Sequence, residues 1–150
     1  MKYAGAGSFQ RNRPLLSFAA GYAGRMADYS FRIATQDDIQ AITDIYNAAV
    51  IRGGSSADTT PRTYAQRKAW VESHHDPYAV FVTTVPATDA ATEGGERIIG
   101  FSALSVFYDR AGYDGVTDLA YYIAPEWQGR GAGTFTLAKL LDECRNRHMR

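Results

Sequence analysis

From Ser30 onward the chain divides into short blocks of patterned hydrophobicity separated by polar punctuation. "SFRIA", residues 30–34, alternates as a short strand does. Thr35 and Asp38 then form a T-x-x-D helix start, and Ile39, Ile42, Ile45, Tyr46, Ala49 and Val50 recur at helical spacing as one buried stripe. "IRGGSSADTTP" is a loop with two adjacent glycines. Thr63 and Gln66 make a second capping box, ahead of a helix carrying Ala65, Ala69, Trp70 and Val71. "PYAVFVTTV" is β-branched and aromatic and predicts a strand, "PATDAATEGGE" is a polar turn, and "RIIGFSALSVFY" predicts the next strand, with Gly100 marking a bulge. After the turn "DRAGYDG" comes the strand "VTDLAYYIA", a glycine-rich segment, and the helix "TFTLAKLLDECRNR". The predicted order is strand, helix, helix, strand, strand, strand, helix. That describes an α+β or mixed α/β sheet without the regular βαβ alternation of a doubly wound fold.

Residues 1–29 read differently. They are rich in Gly, Ala and Ser, hold no steady period, and are expected to be a disordered extension or the product of a misplaced start, since Met26 opens a segment that looks like a natural beginning. A faint imitation of a secretory signal around "PLLSFAAGYAG" is broken by Ser17, Gly21 and Tyr22. "GAGS" at Gly5 to Ser8 is then tail and no phosphate loop. The domain proper is expected over residues 30–150.

Composition adds bounds. A chain of 150 residues suits one domain with a real core. Its 16 basic and 16 acidic residues cancel, which removes the electrostatic case for nucleic-acid or membrane partners. Cys144 is the single cysteine, so no intrachain disulfide forms and a reducing, cytoplasmic setting is expected. No apolar run approaches the length of a membrane span. His74, His75 and Asp76 are adjacent, and neighbouring side chains at a helix end diverge; no metal site is expected there.

The segment Gln128 to Gly133, "QGRGAG", lies between a strand and a helix. The first N–H groups of a helix have no intrahelical partner and carry the positive end of its dipole. Glycines beside them let the backbone approach a bulky anion, so the segment is a candidate cradle for phosphate or pyrophosphate, to which Arg130 can add a charge. A nucleotide P-loop is excluded because Thr134-Phe135 follow Gly133 where Lys-Ser/Thr is needed. A dinucleotide fingerprint is excluded because Thr134 stands where its third glycine belongs. A plain strand–turn–helix remains the bland alternative.

Q-x-x-G-x-G in this setting resembles the acyl-CoA pyrophosphate loop of the GNAT superfamily of N-acetyltransferases. The resemblance runs from Phe31 to the end of the chain and is greatest to the branch of phosphinothricin and methionine sulfoximine/sulfone acetyltransferases. It is carried by "FRIATQDDIQAITDIYNAAV", "TYAQRKAWVESH" and "RIIGFSALSVFYDRAGYDGVTDLAYYIAPEWQGRGAG".

The resemblance implies the acyl-CoA N-acyltransferase fold, acetyl-CoA as co-substrate without a metal, and acetyl transfer to the primary amine of a small molecule, an amino acid or analogue. It places Asp118 as the catalytic carboxylate where many relatives carry Glu. The shorter side chain calls for a water between acid and amine, and the competing role is a strand-end carboxylate. The backbone of Tyr121, Tyr122 and Ile123 would hold the pantetheine arm. Gln128, Gly129, Arg130, Gly131, Ala132, Gly133 and Thr134 would hold the pyrophosphate. Tyr113 would line the acceptor pocket or, alternatively, pack as a turn aromatic. Relatives are often homodimers. Two departures stand out. Directly before its proline, "GGSSADTTP" carries threonines and not the aromatic and acidic residues that relatives often place there, leaving the acceptor open. The chain also ends at "NRHMR", where the family would begin a fifth strand. On that reading it is a fragment lacking the last strands and helix, with an exposed sheet edge at its fourth strand. An inactive CoA-binding remnant is the alternative function.

Overall fold

The computed structural model describes residues 28–87 and 95–149. The expected extension up to residue 27, with Gly5 to Ser8, and the centre of the polar turn at 88–94 lie outside the described residues. The elements follow the predicted order: β1 (Ser30–Ile33), α1 (Ile39–Arg52), α2 (Tyr64–Glu72), β2 (Ala79–Pro86), β3 (Glu96–Val106), β4 (Thr117–Ile123) and α3 (Ala132–Asn146). Single 3-10 turns at Gln36–Asp38, Ala111–Tyr113 and Pro125–Trp127 sharpen the connections. The four strands pair in chain order, each antiparallel to the next.

Both capping boxes form as the sequence predicts. Asp38 does more than cap. Its carboxylate accepts the Thr35 N–H at 2.6 Å and two bonds from the Arg32 guanidinium at 2.7 and 2.9 Å. Burial pushes its pKa up, but the bonds from Arg32 and Thr35 outweigh burial and hold it below the usual carboxylate range. Arg32 also reaches Glu96 at 2.6 Å, so one guanidinium ties the first strand, the first helix start and the β3 entrance together.

The sheet is covered on both faces. On one, Ile42, Ile45, Tyr46 and Val50 of α1 pack on Val80, Val82, Phe101 and Ala103, with Trp70 and Val71 of α2 beside them. On the other, Leu140 of α3 packs on Ala79, Phe81 and Leu104, and the buried Thr83 and Thr136 hydroxyls meet at 2.6 Å. Each buried Ile, Val, Leu or Phe among them contributes about 1.5–3 kcal/mol of burial. Coverage on both faces explains why "AVFVTTV" is apolar or β-branched without alternation: all seven positions are buried. β4, by contrast, pairs among the described residues only with β3, and leaves Leu119 and Tyr121 substantially exposed.

The bulge expected at Gly100 is present. Thr83 pairs with Gly100 while Thr84 pairs with Ile98, so Ile99 is an extra residue on β3. Gly100 lies opposite Ile123, and a Cβ there would stand 2.6 Å from Ile123 Cδ1 and 2.9 Å from the Tyr122 carbonyl oxygen. The Ile99 carbonyl accepts the Ala124 N–H at 2.8 Å, which fixes the path of the chain as it leaves β4. Gly100→Ala should therefore cost about 1–3 kcal/mol by overpacking, measured as a lower denaturant midpoint at unchanged slope. An unchanged midpoint would mean that β4 moves aside freely.

Candidate active site

Beyond β4 the chain turns at Pro125–Trp127 and reaches Gln128 in extended conformation. Gly129 (φ 72°) and Gly131 (φ 87°) then take left-handed geometry, and Gly131 is the N-cap of α3. The reason for glycine here is conformation, since an added Cβ at either position would meet nothing within 4 Å. The Phe135 N–H closes the first turn on the Gly131 carbonyl at 3.0 Å. The N–H groups ahead of it have no intrahelical acceptor and carry the positive end of the α3 dipole. Gly133 faces β4, where a Cβ would lie 3.7 Å from Tyr121 Cε2 and 3.9 Å from Ile123 Cγ1.

A cleft of about 630 Å³ opens along β4 between the end of α1, the loop after it and the start of the glycine segment. Its walls bring together Asp118, Tyr121, Tyr122, Ile123, Gln128, Gly129 and Gly133. Arg130, Gly131, Ala132 and Thr134 belong to the same loop and helix start without forming the cleft wall. Arg130 instead lies over the Trp127 ring at 5.3 Å, its carbonyl accepts the Tyr29 hydroxyl at 2.9 Å, and Ala132 is fully buried. Tyr113 stands outside the cleft wall, in a cluster with Phe107 and Tyr108 at ring separations of 5.5 and 5.8 Å.

Asp118 pairs with Ser105 across the strands, and Tyr122 pairs with Phe101, on which its ring stacks at 5.2 Å. Phe101 belongs to the core under α1 and α2, so the alternation Asp118, Ala120, Tyr122 lies on that face. The Ser105 hydroxyl lies 2.9 Å from His74 Nε2, while His74 Nδ1 lies 2.7 Å from the Trp70 carbonyl. A carbonyl only accepts, so Nδ1 carries the proton and the serine hydroxyl donates to Nε2. Burial lowers the His74 pKa and favours this neutral form. Both ring nitrogens are thus engaged by protein groups next to Asp118.

The loop after α1, with its two adjacent glycines, is pinned from below. The Tyr46 hydroxyl donates to Asp58 at 2.5 Å and lies 2.8 Å from the Ser56 hydroxyl, and Tyr122 donates to the Ser55 carbonyl at 3.2 Å. Asn47 brackets the backbone of Arg62 with two bonds of 2.8 Å. The Arg62 guanidinium, then the Tyr46 hydroxyl, hold the Asp58 pKa down to about 2. Beneath lies Arg67, 6% exposed, 3.8 Å from the Tyr46 ring centroid and 4.7 Å from that of Trp70. Arg52, the last residue of α1, also lines the cleft. Sequence reading passed over Arg52, His74 and Tyr46 as site residues because each touches a partner distant in the chain. The one local hint was the arginine immediately before Gly53-Gly54.

An antiparallel sheet, a bulge beside the end of the fourth strand, and a glycine cradle at the following helix together define an acyltransferase-type architecture. The pattern of the Acetyltransferase (GNAT) family matches residues 39–150, and the chain belongs to that family. It is 31% identical over 118 residues to an N-acetyltransferase of Streptomyces griseus, a match covering 77% of this chain and 59% of the relative. It is also 31% identical over 118 residues to the phosphinothricin N-acetyltransferase of Streptomyces coelicolor, covering 77% and 65% respectively. The chain therefore spans about three-fifths of the length of these relatives. A solved phosphinothricin acetyltransferase of Sinorhizobium meliloti, in complex with acetyl-CoA, superposes with a TM-score of 0.63 at 26% identity, over 77% of this chain and 59% of that one.

Tyr46→Phe removes the hydroxyl from Asp58 and Ser56 and should destabilise the fold by about 1–3 kcal/mol. Hydrogen exchange at the amides of Ser55 to Asp58 should accelerate more than exchange in β2. Uniform acceleration would show that Tyr46 supports the core and not this loop.

Proposed function

We propose that this chain carries the acetyl-CoA-dependent N-acetyltransferase site of its family and acts on the primary amine of a small molecule, an amino acid or analogue. The observation that carries the reading is one continuous cleft along β4, joining Asp118 at one end to Gln128, Gly129 and Gly133 at the other. Five residue steps along the strand separate Asp118 from Ile123, about 16 Å, a span that an extended pantetheine arm bridges. The positive-φ glycines and unpartnered helix-start N–H groups suit a pyrophosphate. The edge of β4 away from β3 offers backbone N–H and C=O groups on which the amides of the pantetheine arm can align as an added strand.

Most amines are protonated at neutral pH and must lose a proton to attack a thioester. Asp118 lines the cleft at the far end from the glycine segment and accepts that proton, directly or through one water. The C–N bond forms, the C–S bond breaks, the proton still on the attacking nitrogen passes through water to the departing sulfur, and coenzyme A leaves as its thiol. A backbone N–H of β4 polarises the thioester carbonyl in this scheme. The relative named for phosphinothricin, an amino-acid analogue, supports the choice of acceptor class. Tyr113, outside the cleft wall, lies in an aromatic cluster at the β3–β4 connection.

Asp118→Asn should lower turnover at neutral pH by about 10²–10⁴-fold, with acetyl-CoA affinity unchanged by calorimetry. Turnover equal to the parent would remove Asp118 from the mechanism. Gly131→Glu, in a sample still folded by circular dichroism, should lose acetyl-CoA binding, because it sets a carboxylate where a pyrophosphate would lie. Retained binding would move the phosphate site elsewhere.

A further inference from the structure

We propose that Arg52 is a second pyrophosphate ligand, gripping the phosphates from the α1 side of the cleft, opposite the glycine segment. The proposal rests on reading the cleft as an acetyl-CoA site.

Arg52 Nη1 donates to Gln128 Oε1 at 2.7 Å, and Gln128 Nε2 donates to the Ile123 carbonyl at 2.9 Å. Both polar ends of the Gln128 amide are thereby used within the protein. Gln128 becomes a bracket that holds the guanidinium over the end of β4, where the glycine segment begins. A guanidinium has five N–H donors, and the bond to Gln128 uses one of them. Among the described residues no carboxylate forms an ion pair with Arg52. Arg52 is also the one cationic side chain among the described residues lining the cleft, and Asp118 the one acidic side chain.

Arg52 is thus a cation held by a neutral bracket in a cleft, with no counter-ion among the described residues, which suits an anionic ligand group. Two anions could enter: the cofactor's pyrophosphate and the carboxylate of an amino-acid acceptor. Position favours the first. Arg52 is tied to the Ile123 end of β4, about 16 Å along the strand from Asp118. An α-amino acid carries its carboxylate two bonds from its amine, so an acceptor amine near Asp118 cannot place its carboxylate on Arg52. Phosphates cradled at Gly129 to Gly133 lie at the correct end. The arginine's place in the last turn of α1 also suits the negative end of that helix dipole, but its head group reaches across the cleft to a different element.

The test is Arg52→Gln, which keeps an amide donor for Gln128 and removes the charge, with Arg52→Lys restoring charge. Binding of coenzyme A, dephospho-coenzyme A and S-acetylpantetheine would be followed by calorimetry or NMR titration. Arg52→Gln should weaken coenzyme A and dephospho-coenzyme A equally, by about tenfold, and leave S-acetylpantetheine unchanged. The loss should shrink at high salt, and the lysine variant should recover most of it. Equal weakening of S-acetylpantetheine would make Arg52 a structural brace and overturn the proposal. So would a loss confined to coenzyme A, which would place the guanidinium on the ribose phosphate. Unchanged cofactor affinity with a raised acceptor KM would assign Arg52 to the acceptor. Failure of the unmutated chain to bind acetyl-CoA would instead remove the reading on which the proposal stands.

Discussion

The close approach of Gly100 to the end of β4 is the constraint on which the site depends. At that point the bulge at Ile99 lets β3 present a residue without a Cβ to Ile123, and the Ile99 carbonyl holds the Ala124 N–H. The strand is thereby held against the sheet up to its last residue and then released at Ala124 into the turn that carries Gln128. A side chain at position 100 would push on both Ile123 and the Tyr122 backbone. That would shift the cleft wall and the bracket from the Ile123 carbonyl to Gln128 and Arg52 together.

The two ends of the cleft differ in charge. Asp118 stands at one end, beside a serine whose proton is committed to a neutral histidine. Arg52 and the free N–H groups of α3 stand near the other, within the positive end of a helix dipole. This separation suits a phosphate-bearing ligand held at one end and a second reactant that must lose a proton at the other. The intervening strand supplies backbone hydrogen bonding and little side-chain charge, as a neutral amide-bearing arm requires.

The loop between α1 and α2 shows how an unremarkable sequence can be held in one shape. Tyr46, Asn47 and Tyr122 bind it from beneath, and Arg67 lies under Tyr46. None of these contacts is local. Tyr46 sits in the predicted apolar stripe of α1, where its ring packs as the pattern requires, and only its hydroxyl takes part in the loop. Arg67 sits on a helix whose sequence gives no reason to expect a buried cation.

Local chemistry was legible without the fold. Capping boxes, β-branched runs, the bulge glycine and the glycine segment are each decided within a few residues, by backbone geometry and helix-end hydrogen bonding. The sequence by itself therefore determined the element order, the mixed α+β class and the position of the glycine turn ahead of the last helix. It also determined which face Asp118 shares with Tyr122, because strand alternation is a two-residue rule. Only the tertiary structure decided that His74 meets Ser105, that Arg52 meets Gln128, and that Tyr113 lies outside the cleft wall. Those contacts join residues 31 and 76 positions apart, or depend on how a turn packs. Such pairings are set by the closing of the sheet between its helices, and no local pattern encodes them.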